Sequence, residues 1–337
     1  MTQATRLAAR TPLSRRNLLV ASAAAAVAAP WRLASAAPIA GGKTITLVVS
    51  YPAGGGADLM ARIIAPRLGE ALGQNVVVDN KPGASGQLAA SAVARATPDG
   101  ATLLLDASSF AVNPSLYPKL PYDSNKAFVP LAVLATFPNV LVCHPGFGVT
   151  SVKEVIARAK AKPDDVAYAS SGNGSAQHLA GALFEERTGV RLSHIPYRGG
   201  GPAMNDVMGG QVPLFCANVA SSLGHIQSGK LKALAVTAPV RARSLPDVPT
   251  MAEAGVPNYE VLEWNPVLAP AGIAADTRAQ LVAAIRKALA DPEVLGRIRA
   301  LGGDVFADPT QASAGKFIQA QQAQWGKVIR ERKIVVG

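Results

Sequence analysis

Four times in this chain a short apolar run breaks into a loop of glycines and small polar residues and resumes as a helix-period segment. Thr44 to Ser50 leads through Tyr51-Pro52-Ala53-Gly54-Gly55-Gly56-Ala57 into a helix opened by Asp58, with Leu59, Ile63, Ile64 and Leu68 at helical spacing. Val76 to Val78 leads through Asn80 to Gly86 into a helix over Leu88 to Ala96. Val166 to Ala169 leads through Ser170-Ser171-Gly172-Asn173-Gly174-Ser175 into a helix bearing Leu179, Leu183 and Phe184, and His194 to Tyr197 leads through Arg198 to Pro202 into Ala203 to Met208. Strand, loop and helix in that order predict parallel α/β sheets, because a parallel partner can be reached only through a crossover, usually a helix.

At 337 residues, 49% hydrophobic and 5% aromatic, the chain is long enough for two such cores. A strand at Val140 to Cys143 ahead of His144-Pro145-Gly146 predicts a crossing into a second domain, and the segment from Glu260 to Pro270 a return. Domain I is then 37–142 plus 263–337, and domain II 143–262. Three helices are expected at the C-terminal end: Thr277 to Leu289 capped by Asp276, one opened by Asp291-Pro292, and Gln311 to Arg330.

The formal charge of +11 does not indicate a nucleic-acid partner. Arg6, Arg10, Arg15, Arg16 and Arg32 supply five of those charges before Ala37, no acid accompanies them, and later cations are mixed with acids. That N-terminal stretch has the order of an export signal: Ser14-Arg15-Arg16-Asn17-Leu18-Leu19, an alanine-rich apolar middle, then Ala34-Ser35-Ala36. The paired arginines predict that residues 1–36 are a twin-arginine signal peptide cleaved near Ala36, and that the mature protein is periplasmic. The apolar run is shorter than the ~20 residues that span a bilayer and is broken by Pro30, Trp31 and Arg32, which argues against an anchor. Cys143 and Cys216 sit in apolar strand-like runs and are expected to be buried thiols, with a mutual disulfide left open.

A strand that ends in glycines and feeds a helix leaves backbone N–H groups unpaired at the positive end of the helix dipole, which suits an anion. Gly54, Gly55 and Gly56 allow close approach, and Ser170, Ser171 and Ser175 add hydroxyl donors. The alternative is that the glycines only make tight turns and that Asp58 and Ser175 are N-caps; loops of this kind at corresponding points of two domains favour a ligand. Catalytic motifs are not completed. Gly42-Lys43-Thr44 lacks its upstream glycine, Ser313-Ala314-Gly315-Lys316 lacks companion motifs, there is no GxSxG, and His144, His178, His194 and His225 lack metal spacing. Of the histidines, only His178 is placed near a ligand. No cofactor is expected.

With these residues assembled, the chain resembles the substrate-binding receptors of the tripartite tricarboxylate transporters, the Bug receptors. The resemblance runs through Tyr51 to Asp58, Asn80 to Gly86, Pro98-Asp99-Gly100, Asn113-Pro114-Ser115-Leu116-Tyr117, Tyr168 to Ser175, Pro196 to Gly199, Asp247-Val248-Pro249-Thr250 and Glu253-Ala254-Gly255. It implies a periplasmic binding protein-like Venus-flytrap of two α/β domains, with a small carboxylate in the cleft between them. It also implies a monomer that delivers its ligand to two membrane permease subunits. The candidate ligand residues become Tyr51, Ala53, Gly54, Gly55, Gly56 and Asp58 of the first loop, with Ser108, Ser109 and Phe110. From the second domain come Ser170, Ser171, Gly172, Gly174, Ser175, His178, Arg198, Gly199, Ala217 and Asn218, and Trp264 lies on the return.

Three departures stand near the implied cleft: Phe110 where the family often has histidine, Ala217 where an aspartate often precedes the asparagine, and Asn265-Pro266 after Trp264 in place of an aromatic and glycine. They predict a less polar wall and a ligand with an apolar or aromatic body. A sensory partner that presents ligand to a membrane kinase would need the same clamp; a periplasmic enzyme would need a nucleophile and base that the sequence does not supply.

Overall fold

The computed structural model describes residues 38–332 and 334, so the export signal lies outside the described residues. Strands β1 (Ile45–Val49), β2 (Val76–Asn80) and β3 (Thr102–Leu105) form a parallel set, with α1 (Gly56–Leu72), α2 (Gln87–Ala94) and α3 (Ser109–Leu116) following them. A second parallel set consists of β5 (Ala167–Ser170), β6 (Ser193–Pro196) and β7 (Leu214–Asn218), followed by α5 (Ala176–Thr188), α6 (Gly200–Met208) and α7 (Val219–Gln227); α4 (Val152–Ala161) precedes them. All four loop units therefore form as the pattern predicts.

The centre of the sheet departs from it. β4 (Phe128–Cys143) and β9 (Leu262–Pro270) run antiparallel to their neighbours, giving the order β2-β1-β3-β9-β4-β7-β5-β6, with β8 (Lys232–Val236) and the short β10 (Asp304–Val305) also on β4. The sheet is mixed rather than parallel because two strands from distant parts of the chain join its halves. Phe128 to Pro138 pair with β9, whereas Asn139 to Cys143 pair with β7 and β8.

That change of partner is held by a buried polar knot. Asn139 N donates to Thr237 Oγ1 at 2.9 Å, Thr237 Oγ1 donates to the Val261 carbonyl at 2.6 Å, and Gln177 Nε2 donates to Asn139 Oδ1 at 3.0 Å. Buried polar atoms so paired avoid the cost of desolvation and fix where β4 meets the start of β9.

One core packs Ile45, Leu47 and Val49 against Met60, Ile64 and Leu68 of α1 and against Leu281 and Ile285 of α8 (Ala275–Leu289). Another gathers Tyr168, Leu179, Phe184, Cys143 and Cys216, together with Trp325 and Ile329 of α10 (Gln311–Arg332). Between them in sequence, α9 (Pro292–Ala300) starts with Asp291 as N-cap and Pro292 in the first turn, as expected. Asp276 is not a cap; it lies in the first turn of α8, whose N-cap is Ala274. Both cysteines are buried and free, and burial pushes Cys216 up to about 12. Among the described residues no helix is long and apolar enough to cross a membrane.

Candidate functional site

The ends of β1, β3, β5, β7 and β9 converge on a cleft with a small inner cavity that opens into a larger outer crevice. Gly56 and Ala57 open α1 there, and that helix has no side-chain cap. Its first turn leaves the N–H groups of these residues without helical partners, at the positive end of the dipole. Asn218 caps α7 through Oδ1, which accepts Ala220 N at 2.8 Å, while its Nδ2, buried, has no partner. A methyl carbon placed on Gly56 would lie 2.9 Å from that Nδ2, so helix start and amide face each other at close range. Gly55, Ser171, Ser221, Gly200, Phe215 and Ala107 complete the walls, with Tyr51, Gln177 and Glu263 beside them.

The outer crevice shares Tyr51 and Ser171 with this cavity and continues past Pro82 to Gly86, Gly172 and Arg198. Contacts cross the cleft at several heights. The Ser85 hydroxyl donates to the Asn173 carbonyl, and a methyl carbon on Gly199 would fall 2.6 Å from Pro52.

The first loop is stiffened from within. Asp58, 2% exposed, accepts from Gly54 N at 2.9 Å, Arg62 Nε at 3.0 Å and Asn80 Nδ2 at 3.0 Å. Burial alone would raise its carboxyl, but these donors and the Arg62 charge hold it below the ordinary value. Asp58 is therefore a strut for the loop and not its N-cap, and it lines neither the inner cavity nor the outer crevice. Gly55 is the N-cap, and the helix starts two residues earlier than predicted.

Several other candidates serve the loops. Ser175 caps α5, accepting His178 N at 3.2 Å and donating to the Gly172 carbonyl at 2.7 Å. Ser170 Oγ accepts from Gly172 N at 3.1 Å and lies 2.7 Å from His194 Nε2. His178 Nδ1 accepts Gly174 N at 3.1 Å, and its ring stacks on His194 with centroids 4.1 Å apart. Neither Ser170, Ser175 nor His178 lines either cavity, whereas Ser171 lines both.

Phe110, Ala217 and Trp264 fall in the core. Phe110 packs edge-on to Phe128 at 5.4 Å, Trp264 edge-on to Phe317 at 5.1 Å, and Ala217 joins Phe215 and Val219. Alternation along β9 explains Trp264: successive side chains point to opposite faces, so Glu263 reaches the cleft and Trp264 cannot. Phe110 consequently gives no reason to expect an aromatic ligand. Ser108 and Ser109 orient neighbours: Ser108 N and Oγ both donate to Glu263 Oε1, at 3.0 and 3.1 Å, and Tyr51 Oη donates to Ser109 Oγ at 3.0 Å. Ala53 and Gly54 sit exposed at the rim, as does Arg198. Gly174 and Gly199 have positive φ where the loops approach Leu116 and Pro52.

Of the cavity-lining residues, sequence reasoning missed Ala57, Ala107, Gln177, Gly200, Phe215, Ser221 and Glu263. An acid inside the apolar run Val261-Leu262-Glu263-Trp264 is the one signal that was legible, since a buried polar residue is the informative exception. The floor of the cleft is acidic. Burial raises both Glu263 and Asp106, the latter to about 7 with Glu263 adding to it, and burial and Asp106 together keep the Tyr51 phenol protonated. Among the described residues no cluster suited to a metal ion occurs.

The histidine stack predicts a pH response. Burial lowers His178 to about 4 and His194, which also feels His178, to about 3, from an ordinary 6.5. The unfolded chain thus binds protons that the folded chain refuses, so stability is complete above pH 6.5 and falls as pH drops toward 4. Each histidine contributes up to about 1.4 kcal/mol per pH unit in that window. Denaturant titrations at pH 7 and pH 5 should show the loss, and His194→Phe, which keeps a stacked ring, should reduce it by about half.

In sequence and fold the chain is similar to several known proteins. The profile described as tripartite tricarboxylate transporter family receptor matches residues 60–334. The periplasmic binding protein BugD superposes with a TM-score of 0.83 at 35% identity, covering 87% of this chain and 98% of its own. Rpa4515 of R. palustris, solved with adipate, gives 0.84 at 34% identity over 87% and 98%. MatC from Rhodopseudomonas palustris, solved with malate, gives 0.81 at 32% identity over 85% and 98%.

Proposed function

The chain belongs to the tripartite tricarboxylate transporter receptor family, and on that premise we propose that its inner cavity captures a small organic carboxylate for a membrane permease. Family and fold are those of solute-binding receptors. The observation that carries the ligand reading is the buried, partnerless Asn218 Nδ2 set against the uncapped start of α1 at Gly56 and Ala57. Together they offer converging donors to one anionic group, and a carboxylate there would gain hydrogen bonds that nothing else in the cavity provides. The adipate and malate of the two R. palustris proteins support the same class.

We further propose that the protein is exported by the twin-arginine route, acts as a monomer in the periplasm, and closes as a clamp. Its lobes would be 37–142 with 263–337, and 143–262, moving about the β4 and β9 crossing. The contacts of Ser85 with Asn173 and of Pro52 with Gly199 support a closed form that ligand would stabilise.

Isothermal titration of the mature chain with succinate, glutarate, adipate and malate, each beside its diamide, tests the reading. At least one acid should bind with no detectable binding of its diamide, and scattering should show a smaller radius of gyration on saturation. Equal binding of acid and diamide would refute the carboxylate site.

A further inference from the structure

We propose that Glu263 sets the ligand class: the inner cavity selects a carboxylate that also carries a hydrogen-bond donor, a hydroxyl or an ammonium group, directed at Glu263. This rests on the carboxylate reading of the α1 start and deepens it. Glu263 is 6% exposed, yet its side chain lines the cavity together with Gly56 and Asn218. The cavity thus has a donor end and an acceptor end within one small volume.

The hydrogen bonds around Glu263 are those of an acceptor with capacity to spare. Oε1 receives both Ser108 donors, Oε2 receives Gln177 Nε2 at 3.3 Å from an amide that also serves Asn139 at 3.0 Å, and the Trp264 N–H adds the weakest contribution. Donors reaching both oxygens at once suit a carboxylate, whose two oxygens offer about four lone-pair sites. Among the described residues no ion pair involves Glu263 or its neighbour Asp106, whose Oδ2 has no partner either.

A buried acid without a counter-charge is costly unless something donates to it. A ligand hydroxyl or ammonium satisfies Glu263 on arrival. A second carboxylate placed there would meet like charge at short range with little water to screen it. The site therefore both rewards the donor and rejects the plain diacid that lacks it, which is how a site built to hydrogen-bond one group discriminates most strongly.

Succinate, L-malate and L-aspartate share a four-carbon diacid frame and differ in having no donor, a hydroxyl and an ammonium, so they are the probes. Calorimetry on the wild-type chain should give malate or aspartate at least about tenfold tighter than succinate, the winner identifying the donor. In Glu263→Gln that preference should fall below about threefold while succinate binds as well as before or better. Should Glu263→Gln not fold, Glu263→Met, an apolar side chain of similar volume, carries the same comparison. Equal affinity for all three probes in the wild type, or a preference that survives in the variant, overturns the role of Glu263 and leaves the carboxylate site standing. If none of the three binds, this proposal falls, and if glutarate and adipate also fail to bind, the carboxylate reading falls with it.

Discussion

Gly56→Val is expected to weaken carboxylate binding by at least about a hundredfold, the scale of two lost charge-assisted hydrogen bonds. A side chain at this position starts 2.9 Å from Asn218 Nδ2 and 3.0 Å from its Cγ, so it fills the space in which an anion would meet both the helix start and the amide. The backbone itself tolerates the change, because Gly56 is not among the residues with positive φ. Asn218 must shift to admit the side chain and it caps α7, so a modest fall in melting temperature should accompany the collapse in affinity. Gly55→Val is the comparison: Gly55 lines the cavity too, but a side chain there meets the Pro52 carbonyl at 3.3 Å and not Asn218, so the effect should be milder. Titration with the best-binding diacid decides between them. Near-normal affinity in Gly56→Val, with binding lost in Arg198→Ala instead, would move the anion to the outer crevice, where Arg198 is exposed.

The second large effect is on stability. Phe110→Ala should cost about 3–5 kcal/mol of folding free energy, because it empties a fully packed site against Phe128. Urea denaturation measures the loss, and titration of the folded fraction should show affinity changed by no more than about twofold, since no interaction with ligand is removed. The opposite pattern, intact stability with lost binding, would return Phe110 to the wall of the cleft. Trp264→Ala should behave alike, as its ring is 1% exposed and packs on Phe317.

These two substitutions separate what the linear chain discloses from what it conceals. Strand, loop and helix succession is a local property: apolar period, glycine content and capping residues act within a few positions, and Ser175 caps α5 and Asp291 caps α9 where their neighbours predicted it. For the same reason the four loop units, the binding-protein class of fold and the family resemblance were legible without coordinates. A helix boundary was misjudged where the local signal had a competing use. Asp58 reads as a cap, but its carboxylate turns back to Gly54, Arg62 and Asn80 and braces the loop.

What the sequence by itself determined was which segments are strands, loops and helices, and hence that glycine and serine loops would stand at helix starts. Only the tertiary structure decided which residues of those loops face the cleft. Gly56 rather than Gly55 approaches Asn218, and Ser171 rather than Ser170 or Ser175 remains on the cavity wall. Glu263 became part of the floor while Trp264 beside it was buried behind the sheet. The reason is that a side chain's face depends on the register of β9 against β4 and β3, and on hydrogen bonds between residues such as Asn139, Thr237 and Val261 that lie far apart in the chain. One residue of shift reverses every face of a strand, and no local pattern specifies that register when both faces are buried.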